Sequence, residues 1–241
     1  MSAGPEWGPL ARLAGIWEGD RGEDVAYSNE KGSVGLTPYR EHTEFKPFGP
    51  VQNGVQTLYG LDYRMAAWRG TEENPFHTEV GYWLWDATDG QVMRCFLIPR
   101  GSAVIAGGAV ADDATRFTMV SEAGSETYGI LSNRFLAAQA RTDRYEVTID
   151  VSEDGVFSYE EVSLIVHGKL SEHLSHTDSN TLYRIADACA DPIGSAHRPQ
   201  EVRHVRVVRR TAGDTRRGAP LRRRGDRAQR RGARTRGHPA V

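Results

Sequence analysis

Leu13-Ala14-Gly15-Ile16-Trp17-Glu18-Gly19 is the stretch whose reading decides the fold. Its centre is Gly15-x-Trp17-x-Gly19, entered from a short helical stub. Between Pro5 and Ala14, the apolar residues Trp7, Leu10 and Leu13 recur at i, i+3 and i+6 and share roughly one helix face. The glycines let the chain run close to another backbone, and the tryptophan supplies a large apolar plug with an N–H that needs an acceptor. About nine more strand-like runs follow, so the plug reads as the closed end of a small β-barrel, which encloses a cavity.

The runs are legible from their period. Val55, Thr57, Tyr59, Leu61, Tyr63 and Met65 alternate with Gln56, Gly60, Asp62 and Arg64. Tyr145, Val147, Ile149 and Val151 alternate still more cleanly with Arg144, Glu146, Thr148 and Asp150. A period of two means one buried face and one wet face. Further strands are predicted at 37–47, 78–86, 91–98, 102–108, 115–122, 126–132, 156–167 and 174–185. Asp89-Gly90 and Asp154-Gly155 suit tight hairpin turns, and Gly107-Gly108 with Asp112-Asp113 suggests another reversal. With no long amphipathic helix between the runs, the expected class is all-β: an antiparallel barrel of about ten strands with a short N-terminal helix. Tyr82-Trp83-Leu84-Trp85 is apolar on both faces, so one aromatic pair should lie inside and the other under a loop or partner. In the last run His176, Asp178, Asn180 and Arg184 share a face, which gives the cavity a polar wall if that face points inward.

Charge divides the chain. Residues 191–241 hold 15 arginines, no lysine and four acids, a net of +11, which leaves 15 basic and 28 acidic residues in 1–190, a net of −13. The boundaries expected are therefore a barrel domain over 1–186 and an arginine-rich, disordered tail over 187–241. Tracts such as Arg203–Arg210 and Arg222–Arg224 have the charge to bind nucleic acid non-specifically through phosphates. The tail lacks the aromatics that stack on bases, and its composition looks like GC-rich sequence read in a second frame. Cys95 and Cys189 form no Cys-x-x-Cys and no Cys/His cluster, so a structural zinc site is not expected and a reducing cytosol is the default. No apolar run approaches the length of a membrane span, and no membrane association is expected.

Three segments together resemble the nitrobindins: Gly15-x-Trp17-x-Gly19, then Asn74-Pro75-Phe76-His77-Thr78-Glu79-Val80-Gly81-Tyr82-Trp83, then a terminal strand carrying a histidine before Leu182-Tyr183-Arg184. These are haem-binding barrels related in shape to fatty-acid-binding proteins and lipocalins, and the resemblance runs in order over roughly residues 8–186. It implies a ten-stranded barrel holding b-type haem, with an axial histidine on the last strand and a second histidine near the open face. It implies nitric oxide binding, and peroxynitrite isomerisation only where haem is bound. By position His176 matches the axial ligand and His77 the second histidine, while Arg134 falls near a basic haem contact. Trp17 counts among the cofactor-binding candidates, although a core plug is its plainer role. Asp20-Arg21-Gly22 departs from the family's first motif, which predicts a different first turn.

Side-chain chemistry adds less. Asp178 lies two residues from His176 and could accept from its other ring nitrogen. Glu160 and Glu161 point to opposite faces of a strand and cannot share a substrate. His42, His167 and His173 read as solvent-facing, and Ser125 and Ser132 have no neighbouring base. Three functions stay open: a haem barrel; a haem-free carrier of a fatty acid or other small apolar ligand, with Arg184 as carboxylate partner; and a nucleic-acid-associated factor acting through the tail. A homodimer is compatible with each.

Overall fold

Pro5 opens a 3-10 segment, Pro5–Leu13, which buries Trp7, Leu10 and Leu13 together. Gly8 breaks that segment with φ +53°, and any Cβ there would strike the indole of Trp85. In the computed structural model, which describes residues 3–188, the segment closes one end of an eleven-stranded barrel.

The strands are β1 (Gly15–Ser28), β2 (Ser33–Asn53), β3 (Gln56–Arg69), β4 (His77–Asp86), β5 (Gln91–Ile98) and β6 (Ser102–Ala109). They continue with β7 (Arg116–Ala123), β8 (Gly129–Ser132), β9 (Ala140–Asp150), β10 (Val156–His167) and β11 (Leu174–Ala186). A single-turn helix, α1 (Arg134–Gln139), joins β8 to β9. Around the barrel the order is β1-β11-β10-β9-β7-β8-β6-β5-β4-β3-β2, and β1 pairs with β2 to close it. Closure leaves no free sheet edge.

The sequence reading and the structure agree on the frame. Gly90 (φ +59°) and Gly155 (φ +72°) turn the two hairpins predicted for Asp-Gly. Trp83 and Trp85 point into the core, while Tyr82 lies outside against Phe48, with ring centroids 5.4 Å apart. Tyr145, Val147, Ile149 and Val151 are all buried.

The differences are local. Val55 sits fully exposed in the β2–β3 turn and does not join the alternation. Gly107 and Gly108 lie within β6, where Gly107 accepts the ring of Tyr128 against its bare Cα. The run at 126–132 shortens to β8, which pairs in parallel with β7 and antiparallel with β6. Beyond it, Asn133 Oδ1 accepts from Leu136 N at 2.9 Å and caps α1. No first turn interrupts 20–22: β1 runs through it with a bulge.

Trp17, Phe45, Leu61, Trp83 and Leu182 are buried in one core cluster with Trp7, Leu10 and Leu13 of the 3-10 segment. Trp7 Nε1 donates to Gly60 O at 2.9 Å and Trp17 Nε1 to Leu13 O at 2.7 Å, while the buried Trp83 Nε1 finds no acceptor. Among the described residues no helix is long and apolar enough to cross a membrane. The arginine tract and Cys189 lie outside the described residues.

Candidate functional site

Inward positions of ten strands, all but β7, and of α1 line a cavity of about 210 Å³. One part of its wall is apolar, built from Met65, Phe76, Phe96, Val104, Ile130 and Leu136. The other part is polar, because several strands place a charged residue on the inward face: Asp24 on β1, Glu41 on β2, Glu79 on β4, Arg94 on β5, Glu161 on β10 and Asp178 on β11.

Arg94 holds the first polar group together. Its Nη2 donates to Glu79 Oε2 at 2.6 Å and to Tyr63 Oη at 3.1 Å, and its Nη1 donates to Glu161 Oε2 at 3.1 Å and to the Tyr145 hydroxyl. The guanidinium also lies 4.5 Å from the centroid of Phe96 and 5.3 Å from that of Trp83. Burial alone would raise the Glu79 carboxyl, but Arg94 and the hydrogen bond from His77 outweigh it and hold it at about 2. His77 Nε2 sits 3.1 Å from Glu79 Oε1. Burial disfavours the charged ring, yet the bond to Glu79 prevails and the His77 pKa is raised.

The second group is richer in acids. Tyr39 donates to Asp178 Oδ1 and shares a 2.8 Å hydrogen bond with Tyr159. Tyr159 in turn donates to Glu41 Oε2 at 2.7 Å, where Asn180 Nδ2 also donates at 2.9 Å. Burial raises the Glu41 carboxyl, and the donors Asn180, Thr43 and Tyr159 only partly offset it. Burial, reinforced by Glu161, pushes Asp178 up to about 8. His176 Nε2 lies 2.8 Å from Asp24 Oδ1. Burial opposes its charge too, but Asp24 raises its pKa.

Asp24 reaches the cavity through the bulge. Between Gly19 and Gly22, β1 spends three steps where β2 spends two, from Glu41 to Tyr39. The extra residue changes the parity of the strand, so Trp17 and Asp24 both face inward although one is odd and the other even. Gly22 leaves room for the Tyr39 ring, which a Cβ there would hit.

The expected site residues separate. His77 and His176 both line the cavity. Trp17 does not: it lies in the closed-end core, 1% exposed, against Phe157 with centroids 5.9 Å apart, where it packs outside the cavity lining. Arg134 opens α1 as an exposed residue, and the helix turns Leu136 toward the cavity in its place. Asp178 bonds Tyr39, so Asp24 and not Asp178 partners His176. Arg184 packs over Trp17 at 4.8 Å and donates to Arg12 O, outside the cavity lining, which removes the carboxylate anchor from the fatty-acid reading.

Sequence reasoning missed Asp24, Tyr39, Glu41 and Arg94. For Arg94 a signal existed, since Val92, Phe96 and Ile98 share its alternation and a cation there must be partnered inside. For Asp24 none did, because period-two counting from Trp17 puts it outside.

A family model described as "THAP4-like, heme-binding beta-barrel domain" matches residues 6–184. Among solved structures, that of Rv2717c from M. tuberculosis is similar, with a TM-score of 0.54 and 17% identity, covering 75% of this chain and 98% of that one. At that identity the likeness shows the fold alone. No curated protein matches the sequence.

Proposed function

Because the chain belongs to the THAP4-like, heme-binding beta-barrel domain family, we propose that its cavity binds haem b, with His176 as the iron ligand. One observation carries this reading: an imidazole on the last strand faces the cavity with a carboxylate 2.8 Å from one ring nitrogen. A carboxylate in that position fixes the ring and makes the remaining nitrogen a better donor. The apolar wall of Met65, Phe76, Phe96, Val104, Ile130 and Leu136 suits a planar macrocycle, so the residues present fit the group. Cys95 belongs to no Cys-x-x-Cys-His run and alternates with the inward-facing Arg94 and Phe96, which favours non-covalent haem.

His77 supports a second role. It is a hydrogen-bond donor held at the start of β4 by Glu79, with its side chain about one-third exposed at 31%. Such a group can donate to an anionic or polar molecule entering the cavity. Bound haem iron supplies a coordination site for nitric oxide or peroxynitrite; binding, orienting and exclusion of water fall to the residues described above.

Hemin titration of the full chain, read in the Soret band beside His176→Ala, tests the proposal. Saturable one-to-one binding, weakened at least about tenfold in the variant, is expected. Equal binding by a folded variant overturns the assignment of His176, and no saturable binding by the wild type overturns the haem reading. Peroxynitrite decay by the loaded protein, compared with free hemin, tests the nitrogen-oxide chemistry.

A further inference from the structure

We propose that Asp24, His176 and Asp178 form a binding site for a divalent transition-metal cation on the inner wall of the barrel. The strand register builds it. Asp24 on β1 lies directly opposite Asp178 on β11, and Asp178 lies directly opposite Glu161 on β10. All three line the cavity, so three carboxylates stand in one row across three neighbouring strands. Like charges directly opposite on a sheet destabilise it, and removal from water sharpens the cost. Arg94 Nη1 answers Glu161 at 3.1 Å. For Asp24 the cationic partner at hand is the His176 ring, at 2.8 Å.

One oxygen from each aspartate and one ring nitrogen of His176 lie within 4.8 Å of one another. Metal–nitrogen and metal–oxygen bonds of about 2.0–2.2 Å can be reached from there by small side-chain adjustments. Two carboxylates and a neutral imidazole cancel a double positive charge and suit manganese, iron, cobalt or zinc. Tyr39 donates to Asp178 Oδ1, as an outer group that orients a ligating carboxylate does. All three side chains line the cavity, so a bound cation would be open from there to water or to a small anion. Binding releases any proton held by Asp178 or shared between His176 and Asp24, and it uses the same imidazole that would hold haem iron. The cation and haem therefore exclude each other, although the site itself does not depend on the haem reading.

The test takes the full chain, strips it with a chelator and titrates Co²⁺, whose visible absorption reports its ligands. One saturable Co²⁺ per chain is expected, displaced by Zn²⁺ and weakened at least about tenfold in both Asp24→Asn and Asp178→Asn. A cooperative thermal melt shows which variants are folded. If either aspartate variant does not fold, the other and His176→Gln make the comparison. A folded wild type that takes up no Co²⁺, or uptake that survives substitution of the ligands, overturns the proposal. Hemin titrated into the metal-free wild type reports on the haem reading separately, and its failure leaves a positive Co²⁺ result standing.

Discussion

Arg94 Nη2 meets Glu79 Oε2 at 2.6 Å inside the barrel, with the two side chains only 6% and 4% exposed. The guanidinium is also the partner of Glu161, Tyr63 and Tyr145, so the first of the two polar groups hangs on one residue. Removing it leaves Glu161 without its cation and Glu79 with the His77 ring alone. Arg94→Met is expected to cost about 3–5 kcal/mol in urea unfolding, and adding Glu79→Gln should recover part of the loss. A loss below about 1 kcal/mol would mean that water already screens this group.

The same pair sets a limit on acid stability. Glu79 is held at about 2 against an ordinary carboxyl near 4.5. A depressed folded-state value contributes stability that is complete above the unfolded value and is lost as pH falls from about 4.5 toward 2. Wild type is therefore expected to lose stability steeply across that window, and Glu79→Gln to lose it less steeply, whatever its starting level. Parallel acid slopes for the two proteins in thermal melts would contradict this.

How far the sequence could be read follows from strand periodicity. Period-two counting places Tyr145, Val147 and Ile149 inside because β9 runs unbroken through them. The same counting puts His176 and Asp178 on one face of β11, and that face lines the cavity. Counting fails at Asp24, where one inserted residue in β1 reverses the parity. It is also silent on partners: Asp178 looks nearest to His176 along the chain, but a neighbouring strand brings Asp24 closer in space. Glu79 and Arg94 meet although Arg94 lies opposite Trp83 in register, because the long guanidinium side chain reaches along the inner wall, and no local pattern in either strand encodes that.

Trp17 marks the difference between a conspicuous residue and a functional one. Its indole is enclosed by Leu13, Phe157 and Arg184 at the closed end of the barrel. Trp17→Ala is expected to cost about 3–5 kcal/mol through the void it leaves. At temperatures where the variant remains folded, hemin stoichiometry should match the wild type. A selective loss of hemin binding without destabilisation would return Trp17 to the binding site.

Glu41 gives a test of the acid-rich group. Thr43 donates to its Oε1 at 2.7 Å, while Tyr159 and Asn180 donate to its Oε2. Glu41→Ala leaves these donors unpaired beside a cavity and is expected to cost about 2–4 kcal/mol. Glu41→Gln keeps the shape and the oxygen that Tyr159 and Asn180 share, and Thr43 can accept from the new amide. Since burial already raises the Glu41 carboxyl, removing its charge relieves a cost, and the glutamine variant should lie within about 1 kcal/mol of wild type. An equal loss for alanine and glutamine would show that the charge itself is needed.

Gly81, the last small residue of the His77-x-Glu79-x-Gly81 segment, is required by sterics and not by backbone conformation. A Cβ there would run into the carbonyl oxygen of Cys95 on β5. At this point β4 and β5 are in register, with Gly81 opposite Phe96 and Trp83 opposite Arg94. Any methyl group must therefore push apart the two strands that carry Glu79 and Arg94. Gly81→Ala is expected to cost about 1–3 kcal/mol from overpacking, with further loss if the 2.6 Å ion pair opens. The two contributions separate in the Arg94→Met background, where only the steric part remains. If Gly81→Ala costs the same in both backgrounds, the strands absorb the methyl group without disturbing the ion pair.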